Sequence, residues 1–270
     1  MTEYAVKHHL PEFDEVCLSP GDIQTRRIEL KDLWQCLRLG YADYGLNFGT
    51  VFTLFAFYFI AALLISLFAT DQAIWYLAFP MVAGFNLLGP IMATAFFEMS
   101  RQKELGKSPN WRSAFRFIHS YSFAAILALS VLMMALYVAW LSVAEVIYFG
   151  TFGDQAMASF GEFINQLFTT KHGNALLAYG NLVGFLFAFA ALTLSVVAFP
   201  LALDKPVTTI TAITVSIRAV TSNVYVMAVW GLVVVGMLLL GALFFLIGLA
   251  VVLPVLGHAT WHLYRALVVK

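Results

Sequence analysis

Charge is scarce in this 270-residue chain: Asp, Glu, Lys and Arg make up 11% of it and hydrophobic residues 61%, against roughly 25% and 45–50% in soluble domains. So much apolar surface does not fit inside one globular core, which excludes an ordinary soluble fold. Net charge is missing too, with 15 basic and 15 acidic residues, so there is no basic footprint for nucleic acid and none is expected as a partner. Cysteine is limited to Cys17 and Cys36; both precede the first apolar run, where a reducing cytoplasm keeps thiols, and no disulfide is expected. The first thirty residues mix charges with Pro11 and Pro20 and contain no apolar core of a signal peptide, so residues 1–29 are expected to be a retained cytoplasmic tail. A phosphate-binding Gly-Lys-Ser/Thr loop, a dinucleotide fingerprint and an H-E-x-x-H motif are all absent from the sequence, and no enzyme is expected.

Long apolar runs are abundant instead. Five stand out, near 49–69, 74–97, 122–149, 175–203 and 224–256, each long enough for the roughly 20 residues that cross a bilayer as a helix. The last is too long for one span and divides into two at a tight turn near Gly241. The expected fold is therefore an all-α transmembrane bundle of about six helices. It forms one domain over 30–270, built as three hairpins at about 30–107, 108–205 and 206–270. Lys and Arg gather in the N-terminal segment (Lys7, Arg26, Arg27, Lys31, Arg38), in the 98–118 connection (Arg101, Lys103, Lys107, Arg112, Arg116), in the 204–223 connection (Lys205, Arg218) and at the end (Arg265, Lys270). Only Lys171 falls elsewhere. Because basic residues collect on the cytoplasmic side of short loops, six spans with both termini cytoplasmic fit, whereas five would export Arg265 and Lys270.

The connections repeat a pattern. "LKDLWQCLRLGY" (30–41), "SPNWRSAFRFIH" (108–119) and "TITAITVSIRAV" (209–220) align on Arg38, Arg116 and Arg218, with apolar residues one and five positions before each arginine. That spacing gives one apolar helical face. Each hairpin is expected to start from a short amphipathic helix in the inner interface, with Trp34 and Trp111 as anchors and the arginines toward headgroups. The second helix of each hairpin carries a proline, Pro90, Pro200 or Pro254, expected to kink it and to face the bundle, where neighbours satisfy the freed backbone carbonyl. An insertion at 150–174 carries Met157, Phe160, Ile164, Leu167 and Phe168 at helical spacing, which predicts an interfacial helix on the outer surface.

This plan, with "FPLALDKP" (199–206), "SIRAVTSN" (216–223) and "LPVLGHATWHLYRALV" (253–268), resembles the bacterial integral membrane proteins of domain-of-unknown-function family 2189. The resemblance covers most of the chain after the tail and implies an inner-membrane location. It carries no activity over to any residue. Members often bear the automatic label cytochrome oxidase subunit I, but a haem–copper core needs several intramembrane histidines, and here only His258 and His262 lie near a span.

Those two histidines are one helical turn apart, with Arg265 three residues on. They can supply two ligands to haem, copper or zinc, but the same stretch has no third ligand. The simpler expectation is a headgroup-facing stripe of His258, His262 and Arg265 where the last helix leaves the membrane, with Trp261 and Tyr264 as interfacial anchors and no cofactor. Glu98 and Asp204 are expected to reach water at the inner boundary, and Glu145 is the one candidate for a proton or ion relay. Gly180, Gly184 and Ala188 form a small-residue ridge expected to pack helices. These readings describe a non-catalytic membrane protein acting through helix contacts with lipid, another membrane protein or itself. The alternatives are a small-molecule or lipid transporter and a haem- or copper-binding respiratory accessory protein.

Overall fold

The computed structural model describes residues 17–44, 63, 77–108, 118, 122–153 and 160–269. Apart from Leu63, the first expected span lies outside these residues, as do Trp111 and Arg116. The described part is built of α-helices. In chain order they are α1 (Leu30–Asp43), α2 (Ala78–Phe85), α3 (Gly89–Glu104), α4 (Ser122–Phe152), α5 (Phe160–Thr169), α6 (Lys171–Ser195), α7 (Ala198–Asp204), α8 (Thr209–Thr221), α9 (Val224–Leu243) and α10 (Phe245–Leu267). Four helical stretches are long and apolar enough to cross a bilayer: Phe79–Glu104, Phe123–Phe152, Lys171–Asp204 and Val224–Leu243. They coincide with the second to fifth expected spans. α10 follows α9 after the single turn residue Phe244, and the two helices pack on each other. The last apolar run is thus a tight helical hairpin near Gly241, as expected. A Cβ at Gly248 would stand 2.3 Å from the Gly241 carbonyl oxygen, so only glycine allows this approach.

The three prolines act in three different ways. Pro90 sits in the first turn of α3, after a short 3-10 turn at Asn86–Leu88, where its missing N–H costs nothing. Pro200 is the third residue of α7, beyond a break at Val196–Val197. Ser216 of α8 serves that break: its hydroxyl donates to the Thr193 carbonyl at 2.7 Å and accepts from the Val197 N–H at 3.3 Å. Pro254 lies inside a helix that continues through it. Pro200 and Pro254 are both buried.

Outward faces of the long helices are apolar: Val131, Val138 and Val146 on α4, Leu182 and Leu186 on α6, and Leu232, Leu239 and Leu243 on α9 are all exposed. Among the described residues the small-residue ridge packs at one position: a Cβ at Gly184 would meet the Trp140 ring at 3.2 Å, whereas one at Gly180 would meet no described atom, and Ala188 is exposed. Spacing alone identifies small residues on one face without saying whether a neighbour covers that face. At the other end of the bundle, α5 presses Phe163 and Leu167 onto Tyr148 and Phe152. Ile164 and Phe168 remain exposed, so the inward seam of α5 runs through Phe163, which the expected pattern omitted. Thr170 caps α6 by accepting from the Gly173 N–H at 3.0 Å.

Residues 17–29 are not a free tail. Apart from a 3-10 turn at Pro20–Asp22 they run without helix across the bundle end, with isolated bridges pairing Leu18 with Val207 and Thr25 with Val268. Ile23 is buried at 1% exposure. Arg218, expected to face headgroups, instead turns inward and donates to the carbonyls of Pro20 (2.8 Å) and Ile23. Asn223 accepts from the Ile28 N–H at 2.9 Å and donates to the Arg26 carbonyl at 3.1 Å. Arg218, read as interfacial in the sequence, and Asn223 therefore form the dock for this strap.

Candidate functional site

The ends of α1, α3, α7 and α10 meet on one side of the bundle and bring together polar residues far apart in the chain. α1 starts with a reciprocal cap, in which Asp32 accepts from the Glu29 N–H at 2.8 Å. It then lays Leu33, Cys36 and Gly40 onto α10. Trp34, Arg38 and Tyr41 stay on its exposed face, so this first amphipathic helix has one face on protein and another open. Burial holds the Cys36 thiol up to about 12, which leaves it protonated and unreactive at neutral pH.

At the end of α1, the Asp43 carboxylate joins three elements. The Ser100 hydroxyl of α3 donates to it at 2.6 Å, His262 Nε2 of α10 lies at 2.9 Å, and Lys103 Nζ lies 3.5 Å from its other oxygen while bonding the Asp43 carbonyl at 2.6 Å. Ser100 Oγ is also 2.8 Å from His258 Nδ1. A hydroxyl has one proton, and the carboxylate takes it, so His258 Nδ1–H is the donor to Ser100. His258 Nε2 then has no hydrogen-bond partner among the described residues, and Phe96 stands edge-on to the ring at 5.3 Å between centroids.

Burial works to raise the Asp43 carboxyl, but the hydrogen bonds from His262 and Ser100, with the Lys103 charge beside them, outweigh it and hold the group down to about 2 from its usual 3.8. A carboxyl depressed in the folded state adds stability that is complete above its unfolded value and is lost as pH falls through the folded value. The contribution of Asp43 to the docking of α1 is therefore expected to be complete above about 4 and to be lost between 3.8 and about 2. Hydrogen exchange of the α1 amides across that window checks this, and an Asp43→Asn variant should not show the transition. Protection of α1 that stays constant down to pH 2 in the wild type would contradict the assignment.

A second cluster lies one turn further along α10. Arg265 forms a two-pronged pair with Asp204 at 2.8 and 3.1 Å, and its Nε donates to Glu104 at 2.9 Å. The Tyr264 hydroxyl donates to Asp204 at 2.7 Å, and Trp261 Nε1 donates to Glu104 at 3.3 Å. The guanidinium lies over both rings, 4.9 Å from Trp261 and 5.5 Å from Tyr264. Deeper in α3, Glu98 is 2% exposed and accepts from Arg101 and Gln102. Glu145 is exposed on α4, away from both clusters.

The headgroup stripe is thus corrected. His258, Trp261 and Tyr264 each have 0% exposure, and His262 and Arg265 are bonded within the protein. The reason is tertiary: α1, the strap and the ends of α3 and α7 cover the C-terminal half of α10, so its polar residues face protein rather than lipid. Glu98 and Asp204, expected to reach water, are enclosed by the same packing. Sequence reasoning missed Asp43, Ser100 and Glu104 altogether. Their only sequence signal is polarity at the ends of apolar runs, which looks like a solvated boundary. Among the described residues no group of three or more His, Cys, Asp or Glu is placed to hold a metal ion.

Residues 78–204 match a family model described as a predicted integral membrane protein, domain-of-unknown-function family 2189. Over that stretch the chain is similar to this family, in line with the resemblance read from the sequence, and its long apolar helices are those of a helical membrane protein. The matched stretch runs from α2 to Asp204 and includes Ser100, Glu104 and Asp204 of the two clusters. No curated protein and no solved structure matches.

Proposed function

We propose that this chain is a multi-pass protein of the bacterial cytoplasmic membrane, with both termini and the 98–118 and 204–223 connections on the cytoplasmic side, that acts without catalysis through contacts with lipid or a membrane partner. One observation carries this reading. The charged residues gathered at one end, Asp43, Glu98, Glu104, Asp204 and Arg265, are bonded to neighbours in the protein, while the outward faces of the long helices are apolar. Paired charges close one end of the bundle and leave the lipid-facing surface and the open face of α1 as its contact surfaces. The same end holds Arg26, Arg27, Arg38, Lys103 and Arg265, in keeping with the cytoplasmic side.

Labelling with a membrane-impermeant thiol reagent, on a cysteine-free background, tests the orientation. A thiol introduced at Lys171 should react from outside the cell, and one introduced at Lys107 should react only after permeabilisation. The reverse pattern would overturn the topology. The non-catalytic reading excludes a resident redox group, so stoichiometric haem or copper in the purified protein that disappears in a His258→Gln, His262→Gln double variant would overturn it.

A further inference from the structure

The strap, α1 and the last turn of α10 frame an open notch of about 380 Å³, lined among others by Arg26, Arg27, Asp32, Leu39, His262 and Arg265. Two of the arginines are held in place by other bonds. Arg26 donates to the Ala266 and Arg265 carbonyls, and Arg265 is fixed by Asp204 and Glu104. Each keeps unused guanidinium N–H groups, because five donors serve fewer acceptors. Arg27 is exposed and makes no hydrogen bond or ion pair with the described residues. Asp32, the only acid in the lining, already caps α1. Beside this basic notch, α1 exposes Leu30, Trp34 and Leu39.

From this arrangement we infer that the notch binds the phosphate of an anionic phospholipid headgroup, with the acyl chains lying along the apolar residues of α1. Anchored guanidinium groups present donors to phosphate with little ordering cost, and an aromatic and aliphatic edge next to them fits a lipid better than a free anion. The inference rests on the reading above that α1 lies at the inner headgroup layer.

The test uses the full chain, purified in uncharged detergent and delipidated. Binding of short-chain phosphatidylglycerol, short-chain phosphatidylcholine and inorganic phosphate is counted by native mass spectrometry. One phosphatidylglycerol per chain is expected, with phosphatidylcholine and phosphate each at least tenfold weaker. Arg27→Gln should weaken phosphatidylglycerol about tenfold, the factor equivalent to about 1.4 kcal/mol, with unchanged melting. Lys107→Gln, exposed and away from both the notch and α1, should leave binding as in wild type. Equal binding of the two lipids would overturn the inference, as would equal losses in both variants. Phosphate binding as tightly as phosphatidylglycerol would overturn the lipid assignment. Quenching by shallow lipid-attached quenchers, measured on Trp34 in a variant whose other tryptophans are phenylalanine, separates the two levels. Shallow quenching without phosphatidylglycerol selectivity overturns the notch alone. Quenching only by aqueous iodide overturns the placement of α1 and the notch with it.

Discussion

Replacing Arg265 by methionine is expected to cost about 3 kcal/mol of stability, within the range seen when one partner of an enclosed ion pair is removed. Methionine keeps much of the packing of the arginine stem against Trp261 and Tyr264, so the loss comes mainly from charge. Asp204 and Glu104, with side chains 12% and 30% exposed, would be left close together without their shared cation. The Tyr264 hydroxyl still donates to Asp204 and the Trp261 indole N–H to Glu104, but both are neutral donors and do not replace the shared cation. Adding Asp204→Asn to Arg265→Met removes one stranded charge, so the double variant should recover part of the loss. Equilibrium denaturation in mixed detergent micelles measures both. A single variant as stable as wild type would show that the cluster behaves as an exposed surface pair, worth no more than about 1 kcal/mol.

The second large effect is expected at Gly40. A Cβ there would stand 2.5 Å from the backbone nitrogen of Ala259 and 2.7 Å from its Cα and Cβ, distances that backbone atoms cannot relieve by rotating a side chain. Gly40→Ala should therefore push α1 away from α10, at a cost of about 1–3 kcal/mol or more. The change also strains the contacts of Asp43 three residues on. Its most specific readout is Cys36, which is 3% exposed on the face of α1 that packs on α10. In wild type a maleimide should label Cys17, which is exposed, and spare Cys36. In Gly40→Ala both should react. Adding Ala259→Gly removes only one of the three close contacts, so it should not restore protection. Continued protection of Cys36 in the single variant would mean that α1 packs more loosely than the geometry states.

Both experiments probe contacts that one-dimensional pattern cannot show, because each pairs residues more than 50 positions apart in the chain. Gly40 and Ala259 are unremarkable small residues in two separate segments. Arg265 and Asp204 look like ordinary boundary charges. What determines their roles is which helix ends come together, and apolar periodicity does not encode that. The same limit explains His258: its position on an amphipathic arc was legible, but the covering of that arc by α1 was not.

Composition and run length were enough to establish an all-α membrane protein, because a bilayer demands about 20 apolar residues per crossing and leaves helices as the natural solution for such runs. The amphipathic segments at 30–41 and 209–220, the hairpin turn near Gly241 and the helix in the 150–174 insertion follow equally from local spacing, since helix geometry alone places those side chains on shared faces. Only the tertiary structure decided that residues 17–29 are a docked strap, that Arg218 and Asn223 bind it, and that the polar end of α10 is enclosed rather than lipid-facing. Those outcomes depend on long-range contacts between polar groups that satisfy one another, and a polar side chain at the end of an apolar run reads the same whether water, a headgroup or another helix meets it.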